Sequence, residues 1–142
     1  MKIVIEYGKG TVRMKVWTNG CFDILHRGHI ELFKYAKSLG DELIVGIDTD
    51  EKVKKDKGED RPINCLNDRM EMLNSIVYID KVIPFDSTKD LEKTIKWYRP
   101  NIMVIGSDWK GKDVIGSFFT DKLVFFDRIE GYSTSRTLDL MR

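Results

Sequence analysis

Apolar and polar positions fall in alternating blocks along the 142-residue chain. Leu43-Ile44-Val45-Gly46-Ile47 and Ile102-Met103-Val104-Ile105 are unbroken apolar runs bounded by charge, as expected of strands buried on both faces of a parallel sheet. Lys15-Val16-Trp17-Thr18, Lys81-Val82-Ile83-Pro84-Phe85 and Leu123-Val124-Phe125-Phe126 read as three more strands, the second near a sheet edge because Pro84 cannot donate to a ladder. Between them, Leu32, Phe33, Ala36 and Leu39 recur at helical spacing up to Gly40. Leu66, Met70, Leu73 and Val77 repeat that spacing, with Asn64 as the expected cap and Arg69 near the start. Leu91, Ile95 and Tyr98 mark a helix capped by Ser87 or Thr88 and stopped by Pro100, and Ser133-Thr134-Ser135 opens a last one through Leu140.

Strand and helix alternate, which predicts an α/β domain: an open, mostly parallel five-stranded sheet with helices on both faces and ligands at the strands' carboxyl ends. The polar, lysine-rich stretch from Asp48 to Pro62 reads as a mobile surface segment at such an end. Residues 1–13 precede what looks like a second beginning at Met14. Ile3 to Tyr7 is β-prone and Gly8-Lys9-Gly10 could turn the chain, so this extension is an added edge strand first, with a contact surface or a disordered tail as alternatives.

Composition narrows the function. Lys and Arg number 24 against 23 Asp and Glu, a net charge of +1, so no global field recruits nucleic acid or an anionic membrane, and any basic site must be local. No apolar run reaches membrane-spanning length and no signal-peptide pattern opens the chain, which gives the expectation of a cytoplasmic protein. Cys21 and Cys65 lack metal-ligand spacing and read as free thiols.

The most informative stretch is Thr18-Asn19-Gly20-Cys21-Phe22-Asp23-Ile24-Leu25-His26-Arg27-Gly28-His29, a strand end, a tight turn and a helix start. Both histidines of the protein lie here. With Gly28 and His29 opening a helix, two imidazoles and the first free backbone N–H groups face one small volume, which suits a phosphate. Lys57, Arg128 and the Ser133-Thr134-Ser135 helix start could complete a polyphosphate site. Singly, each has a plainer explanation: a solvated lysine run, an arginine beside a carboxylate, an ordinary cap. Zinc on the histidine pair is disfavoured because no Cys or carboxylate completes a ligand set, Asp23 being needed in the turn. The glycine fingerprint of dinucleotide sites and the P-loop pattern are both absent.

The stretch from Thr18 to His29 resembles the signature of the HxGH nucleotidyltransferases, and Ser133-Thr134-Ser135 resembles their second, helix-start motif; the similarity runs from about Met14 to the end. Two branches are similar: the glycerol-3-phosphate cytidylyltransferases, through Asp108-Trp109-Lys110-Gly111-Lys112 and Arg128 to Thr134, and the adenylyltransferase domain of the ADP-heptose pathway, through Thr18 to Asp23 and Lys57 to Asn64. Arg128 and Trp109 tilt the choice to CTP and glycerol 3-phosphate, with ATP and heptose 1-phosphate as the alternative; a nucleotide-binding module without catalysis is a further one, and a tRNA synthetase fragment is discounted for want of a basic surface.

The resemblance implies a Rossmann-like domain over residues 14–142, a homodimer, Mg²⁺ bridging the triphosphate with no protein metal site, and transfer of a nucleoside monophosphate with pyrophosphate release. It implies His26, His29, Lys57 and Arg128 as catalytic residues. Thr18, Asn19, Gly20, Cys21, Phe22, Asp23, Gly28, Asp108, Trp109, Tyr132, Ser133, Thr134 and Ser135 would bind the nucleotide, and Arg69 and Lys112 the acceptor. For Trp109, core packing is an equal expectation.

Overall fold

The computed structural model describes residues 5–7 and 10–141, with side-chain surroundings from Arg13 onward. In chain order the elements are β1 (Ile5–Tyr7), β2 (Gly10–Val12), β3 (Lys15–Gly20), α1 (Arg27–Ser38), β4 (Glu42–Asp48), α2 (Asp50–Lys57), α3 (Leu66–Asn74), β5 (Lys81–Phe85), α4 (Thr88–Tyr98), β6 (Ile102–Gly106), β7 (Lys122–Phe126) and α5 (Thr134–Met141). Five strands pair in parallel in the order β5-β4-β3-β6-β7. The chain runs outward from β3 to β5, then returns to β6 on the other side. The reversal leaves a crevice above the carboxyl ends of β3 and β6, the topological switch point where open α/β sheets bind ligands.

Strand residues alternate between two cores. Val16, Val45 and Val104 pack with Phe33 and Ala36 of α1 and Leu73 of α3 on one face. Trp17, Ile44 and Met103 pack with Leu91 and Ile95 of α4 on the other. Trp17 is wholly buried, and its indole lies where a side chain at residue 46 would be: a Cβ on Gly46 would stand 2.5 Å from its Cζ2. Glycine in the middle of a buried strand is thereby explained by the neighbouring ring rather than by a bend.

Four expectations change. Asp48 to Pro62 is not simply a mobile segment, because α2 forms within it. Thr49 accepts from Lys52 N, Val53 is buried, and Lys52 bridges Asp48 at 3.2 Å and Asp56 at 2.6 Å. Acids fill its first turn and lysines its last, which complements the helix dipole. Asn64 is not the cap of α3; Cys65 holds that position without a side-chain bond, and Asn64 turns back to the histidine loop. The same helix ends at Asn74, short of Val77, which is exposed. Finally, β1 and β2 pair with each other as a separate antiparallel ribbon rather than extending the main sheet as an edge strand. Ile3, Val4, Gly8 and Lys9 of that expectation lie outside the described residues. Pro84 does sit on an edge strand, β5.

Candidate functional site

The histidine turn folds onto itself at the start of α1. His26 is the helix cap: its Nδ1 accepts from Gly28 N at 3.1 Å, while His29 Nδ1 accepts from His26 N at 3.2 Å. A capping box that Ser and Glu usually make is here made by two imidazoles. The rings stack, with centroids 3.8 Å apart and 24° between planes. Because both Nδ1 atoms accept, the hydrogen-bond pattern assigns each neutral ring its proton on Nε2, leaving two N–H donors. Glycine at 28 is required for this, since a Cβ there would lie 2.9 Å from His26 Cε1.

Burial lowers the pKa of His29 to about 4, helped by His26 and Lys57, and burial followed by Arg128 lowers that of His26. Both rings are therefore neutral donors near pH 7. Phe22 supports them from below: its ring meets His29 edge-on at 5.4 Å and rests 3.1 Å from the position of a Cβ on Gly20. Its φ of 50° is the left-handed region, unusual for a bulky residue and a strain the surrounding packing must hold.

The histidines open on a cavity of about 320 Å³. His26, Gly28, His29, Lys57, Asp108, Arg128, Tyr132, Ser133, Thr134 and Ser135 all line it, so four segments far apart in sequence meet. Lys57 arrives at the last residue of α2 and Arg128 just past β7. Neither is drawn into an ion pair among the described residues. Ser133 caps α5 by accepting from Arg136 N, and Thr134 Oγ1 donates to Ile24 O at 2.9 Å, which ties the two motifs together. Two neutral N–H donors, two cations and a helix start meet at one cavity, an arrangement chemically suited to a polyphosphate anion.

Other expected site residues lie elsewhere. Thr18, Cys21, Phe22 and Asp23 are buried, Asn19 Oδ1 accepts from the Trp17 indole at 2.9 Å, and Gly20 lies under Phe22. None of the six lines the cavity; they shape the turn. Trp109 and Lys112 are also off it, with Lys112 Nζ 5.8 Å from the Trp109 ring centroid. Arg69, expected at the acceptor, is 1% exposed and has no open face: it donates to Asn64 O, Cys21 O, Asp48 O and Asp50 Oδ1. Asp23 accepts from Ile63 N at 2.8 Å, Asn64 N at 2.9 Å and Arg61 Nε at 3.1 Å. Burial alone would raise its pKa, but these bonds outweigh it and hold the carboxyl below its ordinary value. Sequence reasoning missed Leu32, Gly106, Phe126 and Ile129 on the cavity wall. Gly106 and Phe126 end β6 and β7, so their places at the strands' carboxyl ends were the available signal.

A family model described as "Cytidylyltransferase-like" matches residues 17–123. The chain belongs to the cytidylyltransferase-like family. It is a nucleotidyltransferase domain with a Rossmann-like sheet. Two relatives are each called "Bifunctional protein HldE". That of Nitratiruptor sp. is 46% identical over 89% of this chain, and that of Sulfurimonas denitrificans 39% identical over all of it. The chain spans only 27% and 30% of their lengths. A crystal structure of a lipopolysaccharide core biosynthesis protein from Thermoplasma volcanium superposes with a TM-score of 0.72 at 30% identity, covering 84% of this chain and 100% of that one. The fold alone is shared with a pantoate-beta-alanine ligase from Francisella tularensis, at 16% identity and a TM-score of 0.63, covering 89% of this chain and 65% of that one.

Among the described residues no helix is long and apolar enough to cross a membrane.

Proposed function

We propose that this domain transfers the adenylyl group of ATP to the phosphate of a sugar 1-phosphate of the heptose type, forming an ADP-sugar and releasing pyrophosphate. The observation that carries the transfer reaction is the stacked pair of neutral imidazoles, both Nδ1 atoms occupied, beside a cavity that also takes Lys57 and Arg128. A phosphate oxygen of the sugar phosphate attacks the α-phosphorus in line; the new P–O bond forms as the bond to the bridging oxygen of the β-phosphate breaks. The nucleophile is already an anion, so no general base and no covalent enzyme intermediate are required. Nε2–H of His26 and of His29 donate to the α-phosphoryl oxygens as charge grows there. Lys57 and Arg128 offset the charge of the triphosphate, and the free backbone N–H groups at the start of α5 receive its β/γ end.

Mg²⁺ neutralises phosphate charge when it accompanies the nucleotide. Asp108 is the carboxylate on the cavity wall that could help to hold such an ion beside the phosphates.

The choice of ATP and a sugar phosphate replaces the preference for CTP and glycerol 3-phosphate drawn from Arg128 and Trp109. Trp109 lies off the cavity, while the Arg61 to Asn64 corner, which resembles the heptose branch, is bonded directly to Asp23 of the histidine turn. The similarity to the HldE proteins supports the same reading. Pyrophosphate release measured with ATP, CTP, UTP and GTP against heptose 1-phosphate, other sugar 1-phosphates and glycerol 3-phosphate tests it. ATP with a sugar 1-phosphate should be fastest, and a preference for CTP with glycerol 3-phosphate would overturn it. His29→Ala should fold and lose roughly a hundred- to a thousandfold in turnover, the usual cost of one preorganised donor.

A further inference from the structure

Lys57 reaches the cavity from an unusual support. Helix α2 has eight residues, and Val53 is its single buried residue, so packing holds it weakly. Its other attachments are at its start: the Thr49 cap, the Lys52 bridge to Asp48, and Asp50, whose Oδ1 accepts from Arg69 NH2 at 2.7 Å. Arg69 is itself immobilised. Its NH1 donates to Cys21 O at 2.9 Å in the histidine turn and to Asp48 O at 2.7 Å at the end of β4, and its Nε donates to Asn64 O at 2.9 Å. One planar guanidinium thus joins the histidine turn to the first turn of α2.

We propose that the ion pair between buried Arg69 and Asp50 is the positioning device that aims Lys57 at the stacked histidines, so that Arg69 and Asp50 act on the reaction through Lys57 without touching substrate. Lys57 stands seven positions beyond Asp50, about 10 Å along the helix, so a tilt of about 10° at the pinned end displaces its backbone by roughly 2 Å. Misplacement on the scale of 1 Å is enough to cost a large factor in a reaction that runs by positioning anions. The guanidinium suits this task because three backbone carbonyls fix its plane before NH2 reaches Asp50. The proposal rests on the reading above that Lys57 meets the triphosphate.

Asp50→Asn tests it, because Asp50 is partly exposed and the substitution removes the charge that makes the pair ionic while leaving Arg69 its three carbonyl acceptors. In the otherwise native chain it should lower kcat about tenfold with little change in KM for the acceptor. In a Lys57→Ala background it should cost less than twofold, since the group it positions is gone. Equal cost in both backgrounds, or no cost in the native one, overturns the proposal. Hydrogen exchange of α2 amides gives a readout that needs no substrate: Asp50→Asn should speed exchange across residues 50–57 at least tenfold while β3 and β4 stay protected. Unchanged exchange in α2 also overturns it. If the native chain releases pyrophosphate with no pair of substrates, the transfer reading fails and the exchange result alone decides whether the ion pair holds α2.

Discussion

Acidification should destabilise this protein through His29. Burial, then His26 and Lys57, lowers the pKa of His29 from 6.5 to about 4. In the unfolded chain the same imidazole titrates near 6.5, so between those values the unfolded state binds more protons. Stability therefore rises with pH across that window; it is fully present above pH 6.5 and is lost as pH falls towards 4. The difference of 2.5 pH units corresponds to roughly 3 kcal/mol at most, of which about 1.4 kcal/mol is gone by pH 5.5. His26, lowered as well, adds in the same direction. Asp23, also lowered, contributes stability that is present above its ordinary value of 3.8 and is lost only as pH falls below it.

The chain has two histidines, which makes the assay direct. Their ring C–H resonances can be followed by NMR from pH 8 to 4 and assigned with His26→Asn, which keeps a capping acceptor. Urea melts at pH 7 and 5.5 should differ in midpoint by about 1 M, given a slope of the order of 1–3 kcal/mol/M. A His29 resonance titrating near 6.5, or equal midpoints at the two pH values, would refute the buried, neutral, Nε2-protonated ring on which the donor role depends.

Arg128→Ala should raise KM for the nucleoside triphosphate about tenfold and let the His26 pKa climb towards 6.5, read by steady-state kinetics and the same NMR titration; an unchanged KM counts against its phosphate contact. Gly46→Ala, which drives a methyl into Trp17, should cost about 1–3 kcal/mol in a thermal or urea melt. Mass spectrometry after brief iodoacetamide treatment near neutral pH should find Cys65 alkylated and Cys21 spared, because Cys65 is exposed while burial raises the pKa of Cys21.

The sheet is legible in the sequence wherever burial is two-sided, since Leu43 to Ile47 and Ile102 to Ile105 can be little else than central strands. The cavity is legible for a different reason: His26, Gly28 and His29 lie close together in the chain, so local geometry alone brings them to one place. Helix α2 is not legible, because one apolar residue, Val53, gives no periodicity, and what fixes it is a cap and an ion pair to residue 69. Arg69 shows the same limit from the other side. The resemblance assigns this arginine to the acceptor, and only tertiary structure reveals that its donors are spent on three backbone carbonyls and Asp50. Asn64 likewise carries the composition of a helix cap but finds a better partner in Asp23, 41 positions away.

The Thr134 to Ile24 hydrogen bond joins residues 110 positions apart. It closes one of the longest loops in the chain, and loops of that separation form late because their entropy must be lost before any contact rewards it. The sheet can grow outward from β3 as the chain emerges, but one wall of the cavity arrives only with α5. An anion held between the histidine turn and the start of α5 would span the same loop, stabilising the docked helix in proportion to ligand occupancy. Completion of the fold and capture of the ligand are then linked equilibria, and the last helix is the element through which they communicate.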